Sequence, residues 1–121
     1  MSDGYLESSL LGTDSALRES WAAVRRTYAS GTAPSDDDLL RHVRAHVVGL
    51  LVSGRAAEFS RFMRTVERLL GEADPVLHDL LDRELLHPLA RELDEVKVPR
   101  NLIMPHLGPR SRSSLGETRP P

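Results

Sequence analysis

Apolar residues return every three to four positions along most of this chain, in blocks separated by glycine, proline and short polar breaks. That interval is the period of one face of an α-helix and differs from the strict alternation of a half-buried strand. Leu17, Trp21, Val24 and Tyr28 make one such face, with Asp14 or Thr13 placed to cap it and Gly31 just beyond, so a helix is expected over about 14–29. Leu39, Leu40, Val43, Val47, Leu50 and Leu51 make a second, broader stripe ending at Ser53-Gly54. Ser35 precedes it as an N-cap. Asp36, Asp37 and Asp38 fill the first turn, where carboxylates oppose the positive end of the helix dipole, and Asp38 stands at the capping-box position. These carboxylates are read as caps and not as ligands for a hard cation.

A third helix is expected over about 56–70. Phe59, Phe62, Met63, Val66, Leu69 and Leu70 lie on one side of it and Arg61, Arg64 and Arg68 on the other. Gly71 follows as its stop. A fourth starts at Asp74 with Pro75 in the first position. Pro88 lacks an N–H and should end or kink it near Leu86 or His87. Past Glu95, prolines at 99, 105 and 109 leave room only for short helical turns. The fold class read from this pattern is all-α: a small antiparallel helical bundle, or HEAT-like helical hairpins, of four main helices plus short C-terminal turns. Short connections make the second, third and fourth helices antiparallel neighbours, with the first closing the bundle. The domain plan is a flexible N-terminus over 1–12, in which Leu6, Leu10 and Leu11 could dock, one helical domain over 13–115, and a disordered tail over 116–121.

The chain has 121 residues, a formal net charge of −2 and no cysteine. Disulfides and thiolate metal sites are thereby excluded, and a reducing, cytoplasmic setting is expected. The first residues lack the basic and apolar regions of a signal peptide, and the longest apolar run, 47–52, is too short to span a bilayer. Lys97 is the only lysine among sixteen basic residues, which a GC-rich bacterial coding bias explains.

Phe59, Phe62, Val66, Glu67, Leu69 and Leu70 form a pattern F-x-x-F-x-x-x-V-E-x-L-L, followed by the acidic turn Gly71-Glu72-Ala73-Asp74. Farther on, Leu107-Gly108-Pro109 opens a short polar segment, Arg110-Ser111-Arg112. Over about 39–115 this resembles a small, all-helical bacterial family of unknown function. The resemblance implies no reaction; the role it implies is that of an immunity partner of a bacterial toxin.

Candidate chemistry is sparse. His42 and His46 share one helical face at i, i+4, a spacing that zinc sites use, but Val43 stands where an H-E-x-x-H motif has its glutamate and no third ligand is evident. No G-x-S-x-G elbow and no glycine-rich phosphate loop occurs. The expectation is a non-enzyme with no catalytic residue, no metal and no cofactor. Charge is unevenly spread: from Glu72 to Glu95 eight acids face two arginines, a net −6, while from Val96 onward five bases face one acid, a net +4. Either the basic tail folds back across the acidic helix, or the acidic surface meets a basic protein, a basic toxin in the sharpest form, with charge steering the encounter. The residues singled out for that contact are Asp79, Asp82, Glu84 and Glu92. The alternatives are a nucleic-acid-binding or regulatory module using Arg61, Arg64 and Arg68, although the net charge disfavours nucleic acid, and a metal-dependent enzyme using His42 and His46. No membrane partner is expected.

Overall fold

A computed structural model of the chain describes residues 5–28 and 34–117, and all regular structure in them is helical. The elements are α1 (Tyr5–Leu11), α2 (Ser15–Arg26), α3 (Asp36–Val52), α4 (Ala56–Glu72), a long α5, α6 (Arg100–Ile103, continued by a 3-10 turn Met104–His106) and α7 (Pro109–Glu117). Helix α5 runs through Pro75–Leu81, a π-helical stretch Asp82–Leu86, and His87–Glu95. The all-α reading holds. No helix of the described residues is long and apolar enough to cross a membrane.

The helix starts follow their capping signals. Asp14 accepts from the Ala16 N–H at 2.9 Å. Ser35 and Asp38 exchange a full capping box, the Asp38 N–H to Ser35 Oγ at 3.1 Å and the Ser35 N–H to Asp38 Oδ2 at 3.0 Å. Asp74 caps Leu77 at 2.8 Å, ahead of Pro75. Gly54 has φ +80°, the left-handed turn that closes α3 and that a side chain would strain.

Three expectations change. First, the N-terminal segment does not stay apart: Leu6, Leu10 and Leu11 are buried, and α1 packs against α2, α3 and α4. Its leucines recur at i, i+4 and i+5, enough apolar surface for one turn-and-a-half to dock. Second, α4 continues through Gly71 to Glu72; a side chain at Gly71 would project onto the Arg110 guanidinium, which fills that space instead. Third, Pro88 does not end α5. The helix widens by one residue before it, in the π-helical stretch, and continues to Glu95.

Helix α3 is the hub, packing against α1, α2, α4 and α5. Leu40, Val43 and Val47 from α3, Phe59, Met63, Val66 and Leu69 from α4, and Leu81, Leu85, Leu86 and Leu89 from α5 are wholly buried in one core. The principal neighbours of α5 are α3 and α7, where the short Ala73–Asp74 link had suggested α4; α7 packs against both α4 and α5. Residues 29–33, including the expected stop at Gly31, and residues 118–121 of the expected tail lie outside the described residues. Gly116 and Glu117, also assigned to that tail, belong to α7.

Candidate functional site

The two histidines of α3 belong to a polar ladder. Asp38, His42 and His46 stand four residues apart, hence one above another on α3, and each reaches α2. His46 Nε2 donates to Asp14 Oδ2 at 2.8 Å, His42 Nε2 lies 2.8 Å from Ser20 Oγ, and the Tyr28 hydroxyl lies near Asp38. The order 14–46, 20–42, 28–38 makes α2 antiparallel to α3. Beside the middle rung, Trp21 is buried with its ring 5.4 Å from that of His42, and its Nε1–H has no hydrogen-bond partner among the described residues. Burial, and then the neighbouring His46, hold His42 below its usual pKa, so it is neutral at pH 7. Burial raises the pKa of Asp14, but the bond from His46 and those from the Ala16 and Leu17 N–H groups more than offset this and hold it below the usual carboxylate range.

That ladder accounts for the spacing that suggested zinc. The histidines go to two different partners, and among the described residues no three His, Cys, Asp or Glu side chains come together to hold a metal. Nor is Ser20 arranged as a nucleophile. Its hydroxyl donates to the Leu17 carbonyl at 3.0 Å, which leaves His42 as the donor to Ser20 Oγ, the reverse of what general-base activation requires. A residue in mid-helix also has its own N–H and those around it committed to the helix, so these backbone groups are not free as oxyanion donors.

The sequence reading passed over Glu67, which binds the start of α7. Glu67 Oε2 accepts from the Arg110 N–H at 3.0 Å and its guanidinium at 3.3 Å; Oε1 accepts from the Ser111 N–H at 3.0 Å and its hydroxyl at 3.1 Å. A side chain of α4 thus serves as the N-cap of α7, 43 residues away in sequence. Burial pushes the Glu67 pKa up, and these four donors more than offset it, so the carboxyl is held below its usual value. The lack of a side chain at Gly108 makes room for this carboxylate: a Cβ on it would fall 2.4 Å from Glu67 Cδ. The V-E-x-L-L and L-G-P patterns are therefore two sides of one contact, a link visible only after folding. At the other end of α7, buried Ser114 donates to Asp82 Oδ1 at 2.6 Å, and Asp82 Oδ2 lies 3.2 Å from His78 Nδ1.

Arg44 was likewise not singled out. Pro88 has no N–H to give the carbonyl of Glu84, four residues before it. Arg44 of α3 supplies the missing donor: its Nη1 bonds the Glu84 carbonyl at 2.6 Å while its Nε bonds Glu92 Oε2 at 2.5 Å. One guanidinium spans the proline break and ties α5 to the hub helix.

The four acids read as a partner surface divide accordingly. Asp79 points outward, its side chain 68% exposed, in an i, i+4 pair with Arg83. Glu84 is at the flank of α5, 3.4 Å from Arg83 Nε. Asp82 faces α7 and Glu92 faces α3, both engaged as described. Of the bases after Val96, Arg100 meets Asp94 at 3.3 Å, whereas Arg110 goes to Glu67 of α4, so the C-terminal segment answers only part of the acidity of α5.

Comparison of the chain with protein-family models, with curated proteins and with solved structures finds no match in any of the three.

Proposed function

We propose that this domain is a non-catalytic protein-binding module, an immunity or antitoxin-like protein in the sharpest form, whose α5 meets a basic partner. The observation that supports this is the division of the polar groups. The side chains of potentially reactive type that are buried or half-buried (His42, His46, Ser20, Glu67, Asp82, Ser111 and Ser114) each make a hydrogen bond that joins two helices. On the outer side of α5, Val76 is 80% exposed one turn before the outward Asp79, and Glu95 is exposed at the other end. An apolar side chain beside carboxylates is the mixture a protein interface uses: the apolar group adds burial and the charges add steering and register.

The test separates the outward acids from those that hold the fold. Asp79→Lys combined with Glu95→Lys should leave the circular dichroism spectrum unchanged. It should abolish salt-sensitive capture of a basic partner from extracts that the wild-type protein retains. Equal capture by the doubly reversed protein would place the interface elsewhere. Asp82 and Glu92 are poor probes, because altering them also frees Ser114 or Arg44.

A further inference from the structure

The outward face of α4 differs in kind from that of α5. Its exposed residues are Ala56, Ala57, Arg61, Arg64, Arg68, Gly71 and Glu72, with no large apolar side chain among them. Among the described residues Arg61 and Arg64 make no ion pair or hydrogen bond, and Arg68 is only loosely joined to Glu72, at 3.7 Å. Folding adds a fourth cation. Gly71 has no side chain, so the Arg110 guanidinium lies against it, 3.3 Å from where a Cβ would be, and remains 56% exposed while bonded to Glu67. Positions 61, 64, 68 and 71 follow one helical stripe, so four guanidinium groups line a ridge about 15 Å long at 1.5 Å per residue. Glu67 and Glu72 neutralise part of it, and Glu58, one turn before Arg61, pairs with Arg55 at 3.0 Å, so the net charge at the Arg61–Arg64 end stays positive.

We propose that this ridge binds the phosphodiester backbone of a nucleic acid, without reading its bases. Guanidinium groups bond phosphate oxygens in a fork, and a row of them matches a row of phosphates. An acidic protein would also answer the charge. It would want apolar anchors at the centre of the contact, however, and this face offers only alanine and glycine. The described part of the face carries no aromatic ring on which an unpaired base could stack, so a duplex suits it better than a single strand. This ridge lies on α4 and shares no residue with the partner surface proposed above, and α7 packs against both α4 and α5.

The experiment is fluorescence anisotropy of the full chain with a labelled 20-base-pair duplex of arbitrary sequence, over a series of salt concentrations. Binding should weaken steeply with salt, with a log–log slope of about −2 to −4 for two to four phosphate contacts, and should be the same for a second, unrelated duplex. Arg61→Ala with Arg64→Ala, both exposed and without partners in the fold, should reduce the magnitude of that slope by about 2 and weaken binding at least tenfold at low salt. The Asp79→Lys/Glu95→Lys protein should bind at least as well as the wild type. The proposal is overturned by no binding at low salt, by binding that the arginine variant retains, or by equal competition from polyglutamate at matched charge, which would mark the face as one for acidic proteins.

Discussion

Replacing Gly108 by alanine should unseat α7, and the size of the effect can be worked from the contact it disturbs. The backbone at Gly108 is not in the left-handed region, so alanine meets no conformational penalty there and the cost is steric. The new methyl carbon would lie 2.4 Å from Glu67 Cδ and 2.5 Å from Oε1, well inside any tolerated separation. Glu67 cannot swing aside freely, because both of its oxygens are bonded to the first turn of α7. Either the carboxylate withdraws and the cap is lost, or the L-G-P turn shifts and carries α7 with it. An N-cap is worth about 0.5–2 kcal/mol and a charge-assisted bond roughly 1.5–3 kcal/mol, so a loss of about 2–3 kcal/mol is expected. At an m-value of about 1.5 kcal/mol/M the urea midpoint falls by roughly 1.3–2 M. The decisive assay is a double-mutant cycle. Glu67→Ala removes the atoms that the methyl would strike, so in that background Gly108→Ala should cost only about 0.5 kcal/mol. If the two substitutions add in full, Gly108 does not act through Glu67 and the reasoning fails.

Three more expectations follow from the same contacts. Because Glu67 is held below its usual value of 4.5, it contributes stability above that pH and loses it as the pH falls through the folded-state value; the acid limb of a pH–stability curve should flatten in Glu67→Gln. Arg44→Met should destabilise by about 2–3 kcal/mol, since it strands both the Glu84 carbonyl and the Glu92 carboxylate, and in a Pro88→Ala background, where residue 88 regains an N–H, denaturation should show the penalty smaller by about 1 kcal/mol. Ser35→Ala should cost about 1 kcal/mol by chemical denaturation and speed hydrogen exchange in the first turn of α3.

Local signals were legible in the sequence wherever both partners lie within one turn. Asp14, Ser35 with Asp38, Asp74 before Pro75, and the turn at Gly54 all act as their positions suggest. What was not legible depends on partners far apart in the chain. Pro88 reads as a stop because its missing bond is local, but the remedy comes from Arg44, 40 residues before Glu84. Glu67 reads as one more surface acid because its donors, Arg110 and Ser111, lie 43 and 44 residues farther along the chain. The spacing of His42 and His46 is a true signal, a stripe shared with Asp38, yet only the position of α2 shows that it binds a helix. Summing charge over a stretch of sequence overstated the acidity of α5, since it left out Arg44 and Arg100, which fold onto it.

The π-helical stretch gives this chain a reserve for changes in length. Connections normally absorb insertions and deletions, because a residue gained there leaves the elements on either side unturned. In α5 the spare residue is inside the helix, taken up by the wider turn over Asp82–Leu86. A deletion from an ordinary α-helix turns everything beyond it by about 100°, one residue's turn at 3.6 per revolution. Removing one residue between Asp82 and Leu86 would instead return the stretch to α-helix, with Leu89 and Leu93 still facing the core and Glu92 still in line with Arg44. Homologous chains should therefore tolerate one residue fewer within this stretch, and no such change on either side of it.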